Sequence, residues 1–469
     1  MNSTILKSRK LSFYAPLIPV VALLLLFYGC EEKYSLMDRA VVENPDYYKY
    51  SSVNCNTGDS IVNESEMEGY SDKQSYFPGE EAIFFTHCRT TRFDVDFYAC
   101  ASTLKKVYEI RGISGRVQNY SCYSYSYGCK WKESFRFTIP DHWASGMYSA
   151  RLMNENGRDF WVTFIVKKPR NALPNKIAVL ASTNTWQAYN YWGGASFYNT
   201  VVEDDYPTSE NVSFYRPNLM ASPTAQATKN HLASAERFMH GWLEDNNYAY
   251  DAYCDRDLHD SPTLLSGYRV LILHVHPEYW SQTMRDNLVH FLNQGGNLMY
   301  LGGNGVYWKV VYNVELNVLE VRRNLDIHYY IPTPGGQWSQ LSQPMDALLG
   351  VEYDSRGFNT GAPYKVHDPD HWIFKGTGLK KGDLFGQNCM SCNGGASGHE
   401  TDKVGPDSPP LDTLAIGTNA NEGGAWMVYY QNPSGGQVFS VGSIDYTHAL
   451  PVDSAVSRIT QNVLERFIQ

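Results

Sequence analysis

The sequence lacks the common nucleotide and hydrolase signatures. There is no GxxxxGK[ST] and no GxGxxG opening a helix, so neither a P-loop nor a dinucleotide-binding turn is present. There is no GxSxG, which removes the serine elbow of the α/β hydrolases. Positive charge is scarce: 39 Lys and Arg stand against 49 Asp and Glu, a formal net charge of −10. That balance argues against nucleic acid, or any phosphate-rich surface, as the main partner. Beyond residue 28 no stretch is long and apolar enough to span a bilayer, and there is no internal repeat or low-complexity tract. With 43% hydrophobic and 19% charged residues, the composition excludes a disordered, collagenous or coiled-coil chain. The 469 residues suffice for two or three domains. Tyrosine is abundant, 35 against 20 Phe, which hints at a small polar or sugar-like ligand.

The first thirty residues read as an address. Lys7, Arg9 and Lys10 precede an uncharged apolar run over residues 11–28, which stops at Gly29-Cys30. This is the shape of a secretory signal. A small residue directly before a cysteine resembles a bacterial lipoprotein signal, so residues 1–30 are expected to export the chain and anchor it to a membrane through lipid on Cys30. Phe27 and Tyr28 depart from that pattern, and a membrane-spanning anchor is the competing reading. Of the 9 cysteines, those left after Cys30 are even in number, which in an oxidising compartment suggests disulfides. Cys122–Cys129 and Cys389–Cys392 are the expected local pairs. The latter lacks a second CxxC or a His pair at zinc spacing.

Residues 31–64 look like a polar tether. Residues 65–170 carry short alternating strands between polar turns, at 82–85, 135–139, 146–152 and 160–166, which predicts a β-sandwich. After Pro169 the pattern changes. Buried strands are expected at 176–181, 268–274 and 297–301, with helices at 231–246 and 283–293; the second helix stops at Gly295-Gly296. Further strands are expected at 426–430 and 438–441. Residues 171–469 therefore read as an α/β domain with a largely parallel sheet. Its ligand crevice should lie beyond the carboxyl ends of the strands.

Those strand ends carry the candidate chemistry. The second reads His274-Val275-His276-Pro277-Glu278-Tyr279-Trp280. In extended chain i, i+2 and i+4 share a face, so His274, His276 and Glu278 could hold zinc or iron. The bland alternative is that one histidine is a satisfied core residue. The first strand runs into Ser182-Thr183-Asn184-Thr185-Trp186-Gln187-Ala188-Tyr189, and the third ends in Gly302-Gly303-Asn304-Gly305. The glycines are expected to let backbone pack against a ligand. The elbow position holds His, Pro and Glu instead of Cys or Ser, which argues against a nucleophilic hydrolase.

Taken together, ASTNTWQAYNYWGG, HPEYW, QGGNLMYLGGNG, EVRR (residues 320–323) and NPSGGQVFSVGSI make residues 140–445 resemble the large subunit of N,N-dimethylformamidase. The resemblance implies a β-sandwich followed by an α/β domain like the class I glutamine amidotransferase fold. It also implies hydrolysis of a small amide at a mononuclear ferric iron held by two Tyr and one Glu. Carried onto this chain, the Glu is Glu278 and the tyrosines are Tyr189 and Tyr148, with Tyr191 and Tyr198 competing for the second tyrosine position. His276 and Asn304 match the polar residues that surround the metal. Two phenolates and a carboxylate balance Fe³⁺ and are hard donors. A free phenol has a pKa of ~10, so only a strongly polarising ion makes it a ligand at neutral pH. The family's large subunit is longer and works with a small partner subunit; this chain has a shorter front end and an export signal. Loops 199–218 and 354–364 are expected to shape the pocket. A non-catalytic sugar- or ligand-binding protein on the same fold, and a zinc hydrolase using His274 and His276, are the competing functional readings.

Overall fold

A computed structural model describes residues 60–198, 208–224, 231–392 and 394–469. The Cys30 and Cys55 expectations and most of the tether lie outside those residues. No helix among the described residues is long and apolar enough to cross a membrane.

The amino-terminal part is a sandwich of a five-stranded and a three-stranded sheet. Its core interdigitates Phe84, Phe93, Phe97, Phe137, Leu152 and Phe164 from both faces. It begins earlier than the sequence suggests. Ser60–Ile61 pair with Tyr120–Ser121, and Asn63 is buried, its amide donating to Glu68. Residues 60–64 thus belong to the fold and not to the tether. Strand Gly146–Asn154 alternates as expected. Tyr148, Ala150 and Leu152 point into the sandwich core, while Met147 packs with the α/β core.

The second domain is built on five parallel strands. These are β1 (Ile177–Ala181), β2 (Tyr250–Cys254), β3 (Val270–Val275), β4 (Asn297–Gly302) and β5 (Gln437–Ser440). They lie in the order β2-β1-β3-β4-β5, and an antiparallel ribbon beginning with Trp426–Gln431 extends the sheet beyond β5. That order reverses direction between β1 and β3, and such a switch point opens a crevice beyond the strand ends. The strands are buried on both faces, as parallel strands between helices must be, which is why they read as continuous apolar runs. Helix α1 (Thr183–Ala188) follows β1. Helices α2 (Ala233–Asp245) and α3 (Gln282–Asn293) bury Met239, Trp242 and Leu243, and Met284, Leu288 and Phe291, respectively.

The cysteines divide. Cys389 and Cys392 form the expected local bridge. Cys122 and Cys129 do not: both are buried free thiols, on either side of helix Ser124–Tyr127. Cys129 packs with Tyr70, Trp131 and Trp192, and burial holds its thiol pKa well above the usual value.

Candidate metal centre at the switch point

Three strand ends supply the site. Strand β1 runs into α1, and Tyr189 caps the carboxyl end of that helix. The chain then turns back through residues 190–197. Buried Arg216 fixes this turn by donating to the carbonyls of Asn190, Trp192 and Ala195. The turn delivers Tyr198 next to Tyr189, with ring centroids 4.3 Å apart. From the adjacent strand, β3, come His276 and Glu278; Thr185 of α1 accepts the Glu278 amide proton.

These side chains meet. The Tyr198 hydroxyl lies 2.7 Å from both Glu278 oxygens and accepts from the Tyr279 hydroxyl. The Tyr189 hydroxyl lies 3.2 Å from Glu278 Oε2 and 3.2 Å from His276 Nε2. His276 Nε2 is 3.0 Å from Glu278 Oε2, and its Nδ1 is 3.0 Å from the Gly303 carbonyl. A carbonyl can only accept, so Nδ1 carries the proton and Nε2 is left to exchange one. All four side chains are nearly inaccessible: Tyr198 is 5% exposed and the others 1%.

Tyr148 does not join them. Its parity on Gly146–Asn154 turns it into the sandwich, where it stacks 4.7 Å from Trp143 and donates to the Ala144 carbonyl. The second phenol beside Glu278 is Tyr198; Tyr191 is buried in the α/β core. His274 and His276 also part company. Val275 has φ +60, a left-handed conformation that a β-branched residue rarely adopts, so the i, i+2 rule for extended chain fails there. His274 faces Glu236, 3.8 Å away, and the His240 ring. Among the described residues no three His, Cys, Asp or Glu side chains group as a metal-ligand set.

The glycines after β4 serve the protein's own backbone. A Cβ on Gly302 would sit 2.7 Å from the Val275 carbonyl oxygen, and one on Gly303 would sit 2.5 Å from that of Glu400. Asn304 follows with φ +49; its backbone amide donates to Asp402 and its side-chain amide donates to Glu400 at 2.6 Å. Its amide is therefore committed to Glu400, and it borders the site through that carboxylate.

Sequence reading missed Glu400, His399 and His231. Glu400 Oε2 lies 4.0 Å from His276 Nε2. His231 packs 4.8 Å from the Tyr189 ring, 5.4 Å from His276 and 4.5 Å from His399. Helix α2 starts at Ala233, later than expected, which leaves His231 on the approach to the helix. The Gly398-His399-Glu400 segment is held by loop 354–364: Asp354 pairs with Thr401 and Gly361 with Gly398. Loop 354–364 thus reaches the site only through the segment it holds; of 199–218, residues 199–207 lie outside the described part.

The electrostatics follow from burial among acids. Burial opposes charging His276, but Glu278 and then Glu400 outweigh it, and its pKa is raised. Burial, then Glu278 and Glu400, hold the Tyr189 phenol well above its ordinary pKa, so it stays protonated unless a cation arrives. Burial also raises Asp402 to about 7.

The donor set suits a small hard cation. Ligand oxygens bound at about 2.0–2.2 Å around one ion sit about 3 Å from each other. The Tyr189 and Tyr198 hydroxyls lie 2.7–3.2 Å from the Glu278 oxygens, a range that hydrogen-bonded and metal-sharing oxygens have in common.

A parallel sheet with an oxygen-rich cluster at its switch point thus follows a β-sandwich in the chain. Residues 90–461 match the family described as N,N-dimethylformamidase beta subunit-like, C-terminal, and the chain belongs to that family. Among curated proteins it is similar to the N,N-dimethylformamidase beta subunits of Alcaligenes sp and Paracoccus aminophilus. Each is 26% identical over 422 residues, covering 73% of this chain and 55% of the relative. The chain thus spans about half the length of these relatives. A solved chain described as mmIFT52 N-terminal domain aligns at 14% identity and a TM-score of 0.28, covering 48% of this chain and 87% of that one.

Proposed function

We propose that this protein is an amide hydrolase acting on a small amide, with a ferric ion held by Tyr189, Tyr198 and Glu278. The convergence of two phenols and a carboxylate at the switch point carries this reading, and the beta-subunit relatives support the reaction class. Bound there, the ion would polarise the amide carbonyl and acidify a water.

The chain's own residues supply the rest. His276 Nε2 takes the proton as water oxygen bonds to the carbonyl carbon. It then returns that proton to the leaving nitrogen as the C–N bond breaks, giving a carboxylic acid and an amine. The Gly303 carbonyl fixes the ring for both transfers. Glu400, held by Asn304, stabilises the imidazolium between them. The enclosing aromatic rings keep bulk water out and favour a small substrate. The strand order is compatible with a glutamine amidotransferase-like domain. The amino-terminal apolar run and Gly29-Cys30 support export and a lipid anchor, and the relatives' designation as a subunit supports a partner chain.

The test is amine release from a panel of small N-alkyl amides by the iron-loaded full chain. His276→Gln should lower kcat by about 10²–10⁴-fold with KM little changed. Wild-type activity in the His276 variant would overturn the assigned role.

A further inference from the structure

The EVRR stretch is not used by the site, and it builds something else. Glu320 lies in strand Val318–Val321 and is fully buried. Its carboxylate accepts from the backbone amides of Tyr329 and Tyr330 and from Arg322 Nε. A second set of bonds closes residues 322–335 into a hairpin: His328 N to Thr333 O, Gly335 N to Asp326 O, and a bridge between Ile327 and Pro334. Beside exposed Asn324 and Asp326, this scaffold displays several apolar side chains. Tyr329 is 79% exposed, Ile327 55%, and Leu325 and Ile331 48% each. A buried charge is spent on ordering a loop whose greasy side chains face outward, against the hydrophobic effect.

We infer that this hairpin docks into the interfacial layer of a phospholipid membrane. The position of the undescribed chain identifies the occupant. Residues 1–59 contain the uncharged run 11–28, and the described fold starts at Ser60. Ser60–Ile61 pair with Tyr120–Ser121, beside helix Ser124–Tyr127. That helix packs on Asn211–Ser213, which pairs with Val318–Val321 at the root of the hairpin. The start of the fold is thus linked to the hairpin root through successive contacts; Val62, Tyr123 and Tyr127 on that path are exposed, and Tyr127 acts electrostatically on Tyr330 of the hairpin. Tyrosine with Leu, Ile and Pro is the side-chain mixture that settles at the headgroup level of a bilayer. Only residues 31–59 separate Cys30 from the described fold, so lipid on Cys30 would bring the start of the fold to the membrane surface.

The experiment uses the full chain with Cys55→Ser. An environment-sensitive thiol probe is attached through Ile327→Cys, or through Leu173→Cys, a position 91% exposed just before the amino end of β1. Each is mixed with phosphatidylethanolamine–phosphatidylglycerol vesicles carrying brominated acyl chains. Blue-shifted emission with strong bromine quenching at 327 and little at 173 is expected, and Tyr329→Asp should remove most of it. A chain that floats with the vesicles while 327 stays unquenched keeps its anchor but overturns the docking. So does a chain that fails to bind vesicles. Shielding of 327 without lipid that grows with protein concentration, or only beside a co-purifying protein, assigns the patch to a second copy or a protein partner and overturns the proposal. Amide hydrolysis is read separately, so its failure and this one are distinguishable.

Discussion

Exchanging one tyrosine oxygen at two positions separates the site from the sandwich. Tyr198→Phe removes the hydroxyl that donates to both Glu278 oxygens and accepts from Tyr279. A bond to a charged group is worth about 1.5–3 kcal/mol and a neutral one about 1, so the metal-free protein should lose about 2–4 kcal/mol. If the proposed ion is held by Tyr189, Tyr198 and Glu278, the variant loses one of those ligands, and kcat/KM should fall by at least ~10²-fold. Tyr148→Phe removes a single bond to the Ala144 carbonyl and leaves the stacked ring in place, costing about 1 kcal/mol. Its kcat/KM should stay within about twofold of wild type. Both variants are purified in parallel, and thermal midpoints and amine release are measured side by side. If Tyr148→Phe silenced the enzyme while Tyr198→Phe remained active, the assignment of the second phenol would be refuted.

Two further outcomes follow from buried groups. Glu320 has a folded pKa lowered to about 2; burial pushes the other way, but the His328 ring 3.7 Å away and bonds from the Tyr329 amide, Arg322 and the Tyr330 amide outweigh it. A depressed carboxyl stabilises fully above its unfolded value near 4.3 and ceases to as pH falls toward 2. The stability gap between wild type and Glu320→Gln should thus be about 3 kcal/mol near neutrality and close between pH 4 and 2 in denaturant titrations. A gap independent of pH would contradict the ionised state of Glu320. For the cysteines, iodoacetamide followed by mass spectrometry should label Cys122 and Cys129 only after unfolding without reductant, and Cys389 and Cys392 only after reduction. Recovery of a Cys122–Cys129 crosslink would reverse that assignment.

The parts legible in sequence were those with a strong local pattern. Apolar runs gave β1, β3 and β4 to within a residue or two, because strands buried on both faces have no polar alternation to blur them. His276 and Glu278 were legible from sitting just past the end of β3, while Tyr189 came from the resemblance to the family. The rest depended on events that leave little local trace. Strand parity sends Tyr148 inward, while the Arg216 clamp on the carbonyls of residues 190–195 brings Tyr198 round to Glu278. A valine with positive φ between two histidines breaks their shared face, and nothing in the residue type announces it. Glu400 reaches His276 from far along the chain, through a loop held by short antiparallel pairs. Cys122 and Cys129 flank a Tyr/Ser-rich stretch that suggested a bridge; that stretch forms the short helix Ser124–Tyr127, and the structure has two buried thiols.

The central claim is a cation shared by Tyr189, Tyr198 and Glu278. Elemental analysis joined to a visible spectrum of the purified full chain tests it most directly. Expected are stoichiometric iron and a phenolate-to-iron absorption band that weakens in Tyr198→Phe, disappears in the Tyr189→Phe/Tyr198→Phe double variant and persists in Tyr148→Phe. A colourless, iron-free wild-type protein that still hydrolyses amides would contradict it.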